Sequence, residues 1–166
     1  PQLRQQLEEL PPSHNSLYAA INFVATLNKL EKPDQVLPIK ELSQLMAVTV
    51  NSAQKTQDAP AEAHALYQWG QLYSHTAQWS EAKKLADKSL NIARKLQADD
   101  IIAQSAWQVG KLYKQQGNRP EAILAYAEAV KALKSIRGDL VAVNPDVQFS
   151  FRESVEPVYR ELVGLL

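Results

Sequence analysis

Two heptapeptides decide the fold of this chain: YQWGQLY at residues 67–73 and WQVGKLY at residues 107–113. Their central glycines are related by an offset of 40 positions (110 − 70), and each glycine is followed three positions later by a tyrosine. The same offset links the dipeptide Glu-Ala at 81–82 to the one at 121–122. Two separate blocks that share one period indicate an internal repeat, in which every unit builds the same supersecondary structure.

Each unit has the pattern of two helices. In the second unit, Asp58 is a suitable N-cap and Pro60 follows in the first turn, which predicts a helix whose apolar spacing covers 63–76. A second helix is expected over 80–96, because its apolar and small residues recur at helical spacing along one stripe. The unit is therefore a helix pair.

The third unit repeats this arrangement with clearer end signals. Asp99 and Asp100 stand where carboxylates complement the free backbone N–H groups of a helix start. Gly117 is expected to close that helix, and Asn118 to cap the next one. Gly138 is the predicted C′ residue at which this last helix of the repeat ends.

The remaining segments are less regular. Helices are expected over 16–29 and 39–57, which form the first pair, joined by a connection that contains two prolines. Residues 139–148 are predicted to be extended, and a final helix to follow from the capping-box pattern that begins at Ser150. Because Pro157 lies inside it, this helix either kinks there or begins a few residues later than Ser150. Ahead of the first pair, an apolar helical stripe suggests a preceding repeat that has been cut: Leu3, Leu7 and Leu10.

Composition excludes several classes of function. The chain has no cysteine, so it offers no disulfide scaffold, thiolate zinc site or cysteine nucleophile. Lys plus Arg and Asp plus Glu both number 18, which gives no overall attraction to nucleic acid or to an anionic membrane. No apolar run approaches the roughly 18 residues of a membrane helix. The compartment stays open, with the cytoplasm favoured only slightly.

Histidine placement argues against a metal or catalytic site. His64 and His75 are eleven positions apart (75 − 64) on one predicted helix, about 16 Å at the standard rise, too far for a shared ion. No motif supplies a nucleophile with an orienting acid. We therefore predict no enzyme activity, no metal and no cofactor, and expect neither nucleic acid nor a membrane as partner.

The repeat resembles the tetratricopeptide motif. Gly70 and Gly110 match its eighth position, and the aromatic and small residues follow in register: Tyr73, Tyr113, Ala82, Ala122 and Ala129. The chain departs from the pattern in its longer unit, in Ser89 where a small apolar residue is usual, and in the missing terminal proline. The resemblance implies an all-α fold, a right-handed α-α superhelix of about three helix pairs plus a C-terminal linker helix. Its segments would be the end of a truncated repeat at 1–12, helix pairs at 14–57, 58–98 and 99–138, and the linker at 139–166.

The resemblance also implies a binding surface on the concave face, which the first helix of each pair lines. The residues at the matching positions are His64, Tyr67, Gln71, Gln104, Trp107, Lys111 and Lys114. Aromatic rings with amides and lysines suit an extended peptide that carries an acidic group. The carboxylate clamp known in the family is not reproduced. Alternatively, Tyr67 and Trp107 pack between neighbouring helices; Trp69 and Trp79 are expected in the core.

The tail carries a second resemblance. DLVAVNPDVQFSFRESVEPVYREL at 139–162 is similar to the segment that joins tetratricopeptide arrays to a CHAT domain, a caspase-like cysteine peptidase, in large bacterial proteins. The resemblance implies a CHAT domain in cis beyond Leu166, with the repeats as its regulatory or targeting arm. We therefore expect a protein–protein interaction module that binds a protein or peptide. The alternative is a structural spacer that packs on neighbouring domains and binds no external ligand.

Overall fold

The computed structural model describes residues 11–141 and 147–166 together with Gln6, and all regular secondary structure in these residues is helical. The predicted all-α fold class is thereby confirmed. Leu3, Leu7 and Leu10 lie outside the described residues, so the preceding repeat expected at 1–12 stays a prediction. None of the described helices is long and apolar enough to cross a lipid bilayer.

The chain divides into two compact units, Pro1–Ile92 and Ala93–Leu166. In chain order, the helices are α1 (His14–Leu27), a short 3-10 turn (Pro33–Gln35), α2 (Ile39–Lys55), α3 (Ala59–His75), α4 (Trp79–Leu96), α5 (Asp99–Gln115), α6 (Arg119–Val141) and α7 (Val147–Val163). The starts of α2, α4 and α6 follow one another at intervals of 40 positions (79 − 39 and 119 − 79), as do those of α3 and α5 (99 − 59). The period of the sequence repeat is therefore the period of the helix pairs.

Local chemistry sets the helix starts in the first unit. The Asp58 side chain accepts a hydrogen bond from the Ala61 backbone N–H at 3.1 Å, and Pro60 lies in the first turn, as predicted. The helix α1 starts two residues earlier than expected, because Ser13 and Ser16 cap it reciprocally through their side chains. Each cap satisfies backbone donors that have no partner inside the helix.

Two predicted boundaries in the second unit are wrong. The helix α6 continues through Gly138 to Val141, so this glycine is not a C′ residue and residues 139–141 are not extended. Gly138 is exposed with open space around it, and a helical glycine costs only about 1 kcal/mol relative to alanine, which a 23-residue helix absorbs. The predicted capping box at Ser150 also fails, because α7 begins at Val147 and runs through Pro157.

Small and buried residues hold the pairs together. In the first unit, apolar side chains of α1, α2 and α3 form one core cluster, and Trp69 packs against it. Ser89, which departs from the family pattern, is fully buried, and its hydroxyl donates to the Ala63 carbonyl at 2.8 Å. The serine therefore serves as a small packing residue whose polar group is satisfied.

Candidate functional site

The first unit places three predicted contact residues on one side of α3. Tyr67 and Gln71 are one turn apart, and the Gln71 amide donates to the Tyr67 hydroxyl at 2.9 Å. Burial raises the pKa of the Tyr67 phenol, while the hydrogen bond from Gln71 opposes that shift. His64, one turn earlier, is partly buried and lies with its ring edge toward Tyr18 of α1, with the ring centroids 5.9 Å apart.

The helix α1 adds residues that the sequence analysis did not include in this surface. The rings of His14 and Tyr18 lie 4.5 Å apart, and His14 Nδ1 is 2.7 Å from the Asp58 carboxylate. His14, Tyr18 and His64 therefore form a chain of rings across two first helices. The contacts of His14 with Asp58 and of Tyr18 with His64 join different helix pairs, and no short motif predicts them.

An amide contact joins the other ends of these two helices. The Asn28 side chain donates to the backbone carbonyl of Gln68 at 3.0 Å and to its side-chain oxygen at 2.9 Å. The repeat offset that relates Gln68 to Gln108 also reaches Asn28 (108 − 68 and 68 − 28), so an amide recurs at this position in all three pairs. This recurrence was the available signal that the first pair shares the register of the later ones.

The second unit places an aromatic ring and a cation together on α5. The Lys111 ammonium lies 4.7 Å from the centroid of the Trp107 ring, a favourable cation–π geometry. Burial lowers the pKa of Lys111, and the negative charge of Glu161 on α7 opposes that shift. The Trp107 indole N–H is buried and has no acceptor among the described residues. An anionic group with an acceptor oxygen would complement both the Lys111 ammonium and the Trp107 indole N–H.

The two other predicted residues of α5 stand apart from this pair. Gln104 and Lys114 are exposed, and neither side chain makes a hydrogen bond or ion pair within the described part of the chain. The Glu161 carboxylate, which the sequence did not indicate, accepts a hydrogen bond from the buried Tyr126 hydroxyl of α6. The surface of the second unit is thus a fixed Trp107–Lys111 pair flanked by two free polar side chains.

Packing does not account fully for the aromatic residues. Tyr67 and Trp107 are both partly buried, so each combines packing with an accessible surface. Trp69 has the predicted core role, since it packs against the apolar cluster of the first unit. Trp79, at the start of α4, is only partly buried.

Other kinds of site find no support in the described residues. No group of three or more His, Asp or Glu side chains there is placed to hold a metal ion. Two cavities, each of about 470 Å³, lie in the first unit and are lined by α2, α3 and α4. None of the predicted contact residues lines either cavity.

Helix pairs that recur at one fixed period define an α-helical repeat array, and in the last pair Gly110 of the first helix lies against the Tyr126 ring of the second. Residues 61–135 match the tetratricopeptide-repeat family. The matched residues extend from α3 into α6, so this part of the chain is similar to tetratricopeptide repeats. Such repeats are non-catalytic scaffolds that generally mediate protein–protein interaction, usually with a protein or peptide partner. No curated protein is significantly similar in sequence to this chain.

Proposed function

We propose that this chain is a protein-interaction module that binds a segment of another protein on the faces of its first helices. In the first unit the contacts come from His64, Tyr67 and Gln71. In the second unit they come from Gln104, Trp107, Lys111 and Lys114. The Lys111 ammonium over the Trp107 ring is the observation that supports this proposal most directly.

The chemistry of that pair favours an acidic partner. A partly buried ammonium with a lowered pKa gains from a carboxylate that replaces lost solvation. The indole N–H of Trp107 lacks an acceptor among the described residues, and a carboxylate or peptide carbonyl supplies one. Exposed Lys114, one turn further along α5, extends the same positive surface.

The test is affinity capture from native extract with the full chain, its Trp107→Ala/Lys111→Glu variant, and a Lys131→Glu control. Lys131 is exposed on α6 and has no described partner, so its reversal changes net charge without altering the proposed surface. A protein retained by the intact chain and the control, but not by the double variant, is the expected result. Equal retention by all three folded proteins contradicts the proposal and leaves the spacer as the better explanation. Circular dichroism checks the fold of each.

A second part of the proposal concerns a CHAT domain in cis. The helix α7 packs on the last pair through buried Val155 and Val158, and Arg119 donates to the carbonyls of Leu165 and Leu166. A helix anchored in this way would hold a following peptidase domain in a defined position. In a protein that joins the two, Arg119→Ala should change peptidase activity or its response to the partner. An unchanged response argues against this coupling.

A further inference from the structure

The two cavities of the first unit share part of their lining, and together they are called the trough. Both are lined by Trp69 and Tyr73 of α3, and α2 contributes residues to each. Along α2 the lining positions recur at helical spacing, from Ile39 through Ser43, Ala47 and Val50 to Gln54, so one continuous face of this helix forms a wall. The trough extends along most of α2 and lies apart from the predicted contact residues.

The floor of the trough is apolar but contains two donors without acceptors. Leu66, Trp69 and Tyr73 supply the apolar surface. The Trp69 indole N–H and the Ser43 hydroxyl are both buried, and neither has a hydrogen-bond partner among the described residues. A buried donor without an acceptor is costly, so such groups call for an explanation. A ligand that brings oxygen acceptors into the trough would supply one.

The rim of the trough carries an excess of positive charge. Three lysines and two glutamates line it, and Glu81 pairs with Lys84 at 2.7 Å. Glu62 accepts a hydrogen bond from the Gln54 amide at 2.8 Å and keeps its negative charge. Lys40 and Lys88 also line the trough, are exposed, and have no side-chain partner among the described residues. The lining therefore carries one more positive than negative charge (3 − 2).

We infer that this trough is a second interaction surface, which takes an acidic segment of a partner protein. A large apolar side chain of the partner enters beside Trp69 and Tyr73, and cavities of about 470 Å³ are within the usual size range of ligand pockets. Carboxylates on either side of that anchor pair with Lys40 and Lys88. Backbone or carboxylate oxygens accept from Ser43 and Trp69 after side-chain rotation. This surface is independent of the one proposed above.

A phage-displayed library of random peptides of about 16 residues, long enough to span about 24 Å as a helix, tests the inference on the full chain. Selected sequences should be rich in Asp and Glu and contain a bulky apolar residue. Affinities of the selected peptides are then measured by fluorescence anisotropy. Lys40→Glu/Lys88→Glu should weaken binding by about tenfold or more, and Ala47→Phe, which fills the trough, should abolish it. Lys55→Glu, an exposed reversal on α2 outside the trough, should have little effect.

An NMR measurement distinguishes binding in the trough from binding on the first-helix faces. The indole N–H resonance of Trp69, assigned with Trp69→Phe, should move downfield when a peptide oxygen accepts its hydrogen bond. Failure to select any peptide, or selection of peptides without acidic residues, overturns the inference. Binding that survives both trough variants but is lost in Trp107→Ala/Lys111→Glu also overturns it, and that result supports the function proposed for the first-helix faces.

Discussion

Tyr126 occupies the space that a side chain at Gly110 would need. A Cβ atom at position 110 would lie 2.9 Å from Cδ1 of the tyrosine ring, closer than such atoms approach in proteins. The ring is fully buried, and its hydroxyl is held by Glu161, so it has little freedom to move aside. The repeat glycine is therefore required for the close approach of α5 and α6.

Gly110→Ala should destabilise the protein. Overpacking a core costs about 1–3 kcal/mol, and the gain in helix propensity from Gly to Ala returns about 1 kcal/mol. We expect a net loss of up to about 2 kcal/mol in the free energy of unfolding, measured by urea denaturation.

Gly138→Ala is the matched control, because this glycine is also helical but has nothing within 4 Å of the added Cβ. It should stabilise the protein by about 0.5–1 kcal/mol through helix propensity alone. If both substitutions changed the free energy of unfolding in the same direction, the Tyr126 ring would not be the reason for glycine at position 110.

Tyr126→Phe should weaken the docking of α7. The substitution keeps the ring but removes the hydroxyl that donates to the Glu161 carboxylate, and hydrogen bonds to charged groups are worth about 1.5–3 kcal/mol. Urea denaturation should show a loss in that range. Tyr73→Phe provides a control, since the Tyr73 hydroxyl has no described partner and its removal should change stability little. If Tyr126→Phe left the free energy of unfolding unchanged, the Glu161 carboxylate would be equally well solvated without the Tyr126 hydroxyl.

Stability should fall in alkaline solution, and Tyr126 should account for part of the decline. Burial raises the pKa of Tyr126 above its usual value, and the hydrogen bond to Glu161 and the negative charge of that carboxylate raise it further. Above about pH 10 the unfolded chain loses this proton while the folded chain keeps it, so stability falls by up to about 1.4 kcal/mol per pH unit. Burial raises the pKa of Tyr67 as well, which adds to the decline.

The lowered pKa of Lys111 has the opposite effect on the pH dependence of stability. It therefore determines the pH range in which the effect of the tyrosines can be measured. Because its pKa is lowered, the unfolded chain binds more protons at this residue, and its contribution to stability rises with pH until about pH 10.5. Urea titrations above that pH isolate the tyrosines. Tyr126→Phe should then have a shallower slope than the parent protein, whereas an identical slope would contradict the raised pKa.

The sequence predicted the fold through signals that are local. The paired helices, the Asp58 cap and the αL turn at Gly117 all depend on residues within a few positions of each other. The end of α6 was mispredicted because a glycine near a helix end favours termination only when other signals agree. Gly138 lies in open space, and the residues that follow it continue the helix.

Local sequence signals predict only some of the contacts at the candidate site. Trp107 and Lys111 are four positions apart on one helix, so their contact follows from helical geometry. Glu161 is 50 positions beyond Lys111 (161 − 111), and its influence depends on how α7 docks. The contact of Tyr18 with His64 depends likewise on the packing of α1 against α3. Such contacts need tertiary structure.

The left-handed turns at the helix ends also recur at a fixed period, which the sequence does not reveal. Gln57, Ala77, Gln97 and Gly117 all have positive φ, at a constant interval of half the repeat period (77 − 57, 97 − 77 and 117 − 97). Each turn closes with the same pair of backbone hydrogen bonds, as in Gln78 N–H to Tyr73 carbonyl and Ala77 N–H to Ser74 carbonyl. This is the Schellman arrangement, in which glycine is the usual residue. Only one of the four positions carries it, so composition gave no sign of the other three.

Ala77→Gly should therefore stabilise the protein. A left-handed conformation costs an L-residue about 1–2 kcal/mol, and glycine avoids that cost but loses about 0.5–1 kcal/mol more in chain entropy on folding. We expect a net gain of about 0.5–1 kcal/mol in urea denaturation, because the exposed Ala77 side chain contributes no buried packing. Gly117→Ala makes the reverse substitution in an equivalent turn and should lower the free energy of unfolding by a similar amount. If Ala77→Gly destabilised the protein, the backbone at this turn would have to be less strained than its φ of 56° indicates.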